Sequence, residues 1–108
     1  MIFFELEPGL TDQTIHETLD GVPVTLRFIW NERFQYWTMS IYDRQQAPII
    51  VGIKLVRDYK LIGRYNLSEL AGDFVFYRVS GGSEEATADS LGNDFELVYL
   101  SKEEADVI

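Results

Sequence analysis

The sequence has 108 residues, 46% of them hydrophobic and 14% aromatic, with 18 acidic side chains against 9 basic ones and a net charge of −9. That is the length of one domain, 1–108, with ample material for a core, and unlike the composition of a disordered acidic tail. Without cysteine the chain has no disulfides, zinc-thiolate sites or thiol nucleophiles, and its acidity repels phosphate backbones, so no nucleic-acid partner is expected.

Period-2 alternation and turn residues recur along the chain, and helical periodicity does not. Ile2, Phe4 and Leu6 share one face of a first strand, which Pro8-Gly9 stops. Thr14 to Leu19 reads as a second strand, with Ile15 and Leu19 on one face. Asp20-Gly21 is the strongest hairpin signal, since both residues tolerate positive φ. Val24, Leu26, Phe28 and Trp30 then alternate with Thr25, Arg27 and Ile29 in a third strand. Pro23 belongs at that strand's start or on an edge, because it has no N–H. After the polar break Asn31-Glu32-Arg33, a fourth strand sets Trp37, Met39 and Ile41 opposite Tyr36, Thr38, Ser40 and Tyr42.

Asp43 to Ala47 reads as a turn. Pro48 to Val56 is apolar almost throughout, which predicts a strand buried on both faces, with Gly52 marking a bulge or a close backbone approach. Residues 57–72 show no clear pattern beyond one helical turn over Leu67–Ala71, capped by Asn66 or Ser68. Phe74–Val79 is a further strand, Ser80 to Asp94 a long polar loop, and Phe95–Leu100 the last strand, followed from Ser101 by an acidic tail. The fold class expected is all-β, a sandwich or small barrel of about seven short antiparallel strands. No apolar run approaches the ~20 residues that span a bilayer, and Met-Ile-Phe-Phe-Glu-Leu-Glu lacks the basic start and cleavage site of a secretory signal. A cytoplasmic protein with no membrane partner is expected.

Catalytic patterns are sparse. His16 is the single histidine and lies between Ile15 and Glu17, with no Gly-x-Ser-x-Gly nucleophile motif in the chain. Glu5 and Glu7 project from one strand face, as outward carboxylates ordinarily do, so they do not argue for a glycosidase pair. Glu84, Glu85, Asp89, Asn93 and Asp94 make the late loop acidic but lack EF-hand spacing, so a solvated loop is expected there. No catalytic residue, metal ligand or cofactor is assigned, and a non-enzyme is expected.

Charge is segregated along the chain. Arg44, Lys54, Arg57, Lys60 and Arg64 occupy the middle, and acids dominate both ends. Such blocks read either as ordinary solvated surface or as complementary patches on neighbouring subunits, which would steer assembly and fix register. With tyrosine enriched at subunit contacts, the candidate interface comprises Tyr36, Tyr42, Arg57, Lys60, Glu84 and Glu85. The alternative is a small binding module whose aromatics face a carbohydrate or protein ligand.

Several blocks of the chain resemble the phage baseplate plug family, small structural proteins of contractile phage tails. They are Leu19-Asp20-Gly21, Thr25-Leu26-Arg27, Trp30-Asn31-Glu32-Arg33, Tyr36-Trp37, Ile41-Tyr42-Asp43, Pro48-Ile49 and Gly52–Val56. Asp89-Ser90-Leu91-Gly92 and Leu97-Val98-Tyr99 extend the resemblance, which spans Phe3 to Leu100. It implies a β-rich fold, a place in the virion tail baseplate after assembly in the host cytoplasm, other baseplate or tube proteins as partners, a homo-oligomer in the particle, and no enzymatic activity. Its most distinctive stretch carries Trp30, Asn31, Arg33 and Trp37. Asn31 is suited to close a turn through its side chain, Arg33 to cap carbonyls or stack on an indole, and the two indoles to meet across the hairpin. These four residues are expected to form a structural nucleus.

Overall fold

The alternating segments do become strands. The computed structural model describes residues 1–65, 67, 70–79 and 85–106. Among these, seven strands form two antiparallel sheets: β1 (Ile2–Phe3), β2 (Asp12–Leu19), β3 (Val22–Asn31), β4 (Tyr36–Tyr42), β5 (Pro48–Lys54), β6 (Asp73–Arg78) and β7 (Phe95–Leu100). One sheet is the meander β2-β3-β4-β5, and the other has the order β1-β7-β6. A single cluster of buried side chains draws on both, including Phe28, Trp37 and Ile41 from the meander and Phe74, Phe76 and Tyr99 from the smaller sheet. The architecture is therefore an all-β sandwich.

The meander follows its turn chemistry. Asp20 and Gly21 both have positive φ, at 50° and 80°, and set the register Leu19–Val22. Pro23 is the second residue of β3, beyond the reach of β4, whose pairing begins at Thr25–Tyr42. Its missing N–H therefore costs no ladder bond. The Asp43 carboxylate accepts from the N–H groups of Gln45 and Ala47 and closes the next turn.

Beyond β4 the sequence expectation needs correction. Pro48–Val56 is not buried on both faces: β5 is an edge strand, Val51 is 61% exposed, and of the strand's residues only Ile53 is buried. An apolar run reports hydrophobicity, not which face is covered, and here β4 is the only strand paired with β5 among the described residues. Gly52 does mark a bulge, with φ at 75°, its N–H donating to Ser40 Oγ and the register shifting beside it.

The segment from Arg57 to Leu61 runs along the free edge of β6. Asp58 N–H donates to the Phe76 carbonyl and Leu61 N–H to that of Phe74. A 3₁₀ turn follows at Gly63–Tyr65. Asn66, Ser68 and Glu69 of the expected helical turn lie outside the described residues, and Leu67, Leu70 and Ala71 are not helical. The acidic tail is instead a helix, α1 (Lys102–Asp106), whose Ala105 packs with Val98 and Leu100 on the outer face of the smaller sheet. Ser101 Oγ accepts from Glu104 N–H and Glu104 Oε1 accepts from Ser101 N–H, a reciprocal cap that starts it.

The late loop is less solvated than its composition suggests. Ser90 and Leu91 are buried, Ala86 and Ala88 pack on the core, and the Trp37 indole donates to the Thr87 carbonyl at 2.9 Å. Gly92, with φ at 82°, lies so close to the Leu6 carbonyl that no side chain fits there.

Candidate assembly surface

The β3–β4 turn builds an exposed aromatic corner. Trp30 and Trp37 form a cross-strand pair on the core face, with ring centroids 5.5 Å apart. Between them, Asn31 Oδ1 accepts from Phe34 N–H, and Gln35 takes φ of 58° while its N–H bonds the Asn31 carbonyl. This turn projects Phe34, 63% exposed. Arg33 does not stack on an indole. Its guanidinium lies 5.3 Å from the centre of the Phe34 ring, and Glu32 takes the Trp30 indole N–H. Both indoles face the core, and of the turn's side chains it is Glu32, not Arg33, that reaches one of them.

Tyr36 opens the outer face of β4, stacked on Phe34 with Lys54 Nζ 4.9 Å from its ring centre. A groove of about 340 Å³ is lined by Phe34, Tyr36, Lys54, Val56 and Glu85 among others. A second groove continues from Lys54 and Val56 to Tyr59 and Lys60. The protein is acidic overall, so this corner concentrates cations on aromatic surface, where each cation–ring contact is worth about 0.5–1 kcal/mol when exposed.

The candidate interface residues are dispersed over the surface. Tyr42 sits at the far end of β4 from Tyr36, half-buried, beside Thr14, Arg27 and Gln46. Arg57 Nε bonds Asp58, and its guanidinium lies 5.6 Å from the Phe95 ring centre. Lys60 Nζ donates to the Ala105 carbonyl at 2.6 Å, holding α1 at its C-terminal end. Glu85 shares the first groove with Lys54 in the same chain, and Glu84 lies outside the described residues.

His16 is exposed on the outer face of β2. Its Nδ1 is 3.0 Å from Thr25 Oγ1, and that oxygen accepts from Gln46 Nε2. The neighbouring concavity, about 520 Å³, also has Glu17 and Arg44 in its wall. Among the described residues, no three His, Asp or Glu side chains converge as metal ligands would.

This arrangement presents a framed outer sheet face and an aromatic-cationic corner, surfaces suited to protein contact. A family model described as cyanophage baseplate Pam3 plug gp18 matches residues 1–103. The chain belongs to this family. No curated protein matches it. Membership of the baseplate plug family implies a structural role in a phage baseplate and suggests that the chain is not an enzyme.

Sequence reasoning missed the buried polar residues that hold the plug fold together. The Asp73 carboxylate, only 4% exposed, accepts from the N–H groups of Ile62, Gly63 and Phe74. Tyr99 Oη donates to Asp20 Oδ2 and accepts from Gly72 N–H, and burial with the Asp20 bond pushes its hydroxyl well above the usual phenol range. The buried Gln13 amide joins the backbone of Glu7 and Leu10. Each partner is distant or backbone, so composition carries no sign of it. The one readable signal was the spacing Ser101-x-x-Glu104, a capping box.

Proposed function

We propose that the chain is a noncatalytic structural subunit of a contractile phage tail baseplate, acting through protein–protein contacts during assembly in the host cytoplasm and in the finished virion. The observation that carries this reading is the family match over residues 1–103. Its partners are other baseplate or tube proteins together with further copies of itself. Residues 1–108 act as one domain, in which Trp30, Asn31, Arg33 and Trp37 form the nucleus on which the outer face is built. Tyr36, Tyr42, Arg57, Lys60, Glu84 and Glu85 contribute to subunit contacts. The exposed ring of Phe34, with Arg33 over it, and Lys54 over the Tyr36 ring support the part given to Tyr36.

Cross-linking of intact particles followed by peptide mass spectrometry tests this. Cross-links from this chain to baseplate or tube proteins are expected, with the chain present in purified tails. A chain missing from tails of infectious particles would overturn the proposal.

A further inference from the structure

The meander has two open edges, and they differ. Among the described residues, β2 and β5 each pair with one neighbour only. In contrast, β6 has its outer edge bonded by the Asp58 and Leu61 amides. An exposed, apolar edge such as Ile49-Ile50-Val51 is a template for pairing with another chain.

The registers say what would fit it. Asp12, Ile29, Thr38 and Lys54 stand in one row across the outer face of the sheet. Four antiparallel strands are an even number, so a copy placed beside β5 in the same orientation presents its β2 antiparallel to β5. Hydrogen-bonding phase matches as well. The Thr11 carbonyl accepts from Trp30 N–H, so odd-numbered residues of β2 bond β3 and even ones point outward. Leu55 N–H donates to the Trp37 carbonyl, so Lys54 points outward from β5. Without any shift of register, Lys54 therefore meets Asp12 of the next copy, as a hydrogen-bonded pair of opposite charge. Asp12 is exposed and held ionised by Arg27, 2.6 Å away, whose hydrogen bond lowers its pKa. On the inner side, half-buried Ile50 comes beside half-buried Ile15.

We propose that copies of this chain join head to tail, β5 of one to β2 of the next, so that the meander continues from subunit to subunit. The inference deepens the structural-subunit reading by naming a self-contact and its surface. The junction is heterologous, so successive copies close into a ring or extend as a filament. The bulge at Gly52 adds twist at each junction and curves the array.

Two variants of the full-length chain test it. Lys54→Pro removes an outward N–H and the cation from β5. Thr14→Pro removes an outward N–H from β2. Neither takes a bond from the internal ladders, and circular dichroism checks folding, with Lys54→Glu and Thr18→Pro in reserve. Sedimentation is expected to show oligomers for the unmodified chain, monomers for each variant alone, and a one-to-one heterodimer when the two are mixed, since each keeps one intact edge. Folded variants that stay monomeric when mixed would overturn the proposal. So would a Thr14→Pro chain that still self-associates, which would indicate β5-to-β5 pairing, or an unmodified chain that remains monomeric. If an unmodified monomer still enters tails, edge pairing fails while the baseplate role stands.

Discussion

The two sheets are built by different means. In the meander every strand pairs with its neighbour in sequence, through turns that Asp20-Gly21, Asn31 and Asp43 close locally. In the smaller sheet the N-terminal β1 pairs with the last strand, Ile2 with Tyr99, and the order β1-β7-β6 joins opposite ends of the chain. Local turns give the meander its register at low entropic cost, while long-range pairing must be fixed by other means. Here the means are buried polar side chains: Asp73 ties the edge segment to β6, and Tyr99 ties β7 to the Asp20 turn. One half of the sandwich is specified by turns, the other by staples.

The largest effect should come where the halves meet. Trp37→Ala removes a fully buried indole and its bond to the Thr87 carbonyl, and should cost about 3–5 kcal/mol. Chemical denaturation measures this, and a loss below ~1 kcal/mol would mean that the late loop and meander are not one cooperative unit. Next comes Asp73→Ala, which leaves the N–H groups of Ile62, Gly63 and Phe74 without their acceptor and should cost about 1–3 kcal/mol in all once the edge segment relaxes to admit water. Hydrogen exchange should then accelerate at Ile62 and Phe74 while the β3–β4 ladder keeps its protection relative to the global unfolding limit. Equal relative loss in both sheets would erase the distinction between them.

Tyr99→Phe should cost about 1–3 kcal/mol, because it leaves the buried Gly72 N–H without its acceptor and breaks the link to Asp20. It also has a pH signature. The Tyr99 pKa is raised in the folded state above the free value of 10.0, so its stabilisation is full below pH 10 and is lost as pH rises through the folded value. The variant should flatten this alkaline decline in thermal stability. The smallest effect belongs to Glu104, whose carboxyl the Met1 ammonium and the Ser101 N–H hold below 4.5. That contribution is present above pH 4.5 and is lost as pH falls through the lower folded value. Glu104→Gln should leave neutral-pH melting almost unchanged and make the acid limb slightly shallower.

Legibility in the sequence divides along the same line. β2, β3 and β4 were readable because alternation and turn residues are local signals, and the buried set Val24, Leu26, Phe28 and Trp30 follows from them. β5 was readable as a strand but not as an edge, since coverage depends on which neighbours the topology supplies. Residues 57–65 carry no periodic pattern, because backbone bonds to β6 and the Asp73 carboxylate shape them. The aromatic corner was half visible: Tyr36 was singled out, but its grouping with Phe34, Lys54 and Val56 requires the fold. Lys60 was assigned to a surface contact and also holds α1 through the Ala105 carbonyl, a bond across 45 positions that no local pattern announces.

The Ile2–Tyr99 pairing also sets a schedule on the ribosome. The meander is complete once Lys54 has emerged, and its hairpins close with nothing further required. β1 must wait for almost all the remaining chain, roughly 5–20 s at ordinary synthesis rates. Throughout that interval Ile2, Phe4 and Leu6 have no β7 to cover them, and for its second half, roughly 2–9 s, the completed meander has no opposing sheet over its inner face. Synthesis thus holds the chain for seconds as a half-sandwich with its core face open, the stage at which a nascent chain depends most on chaperones.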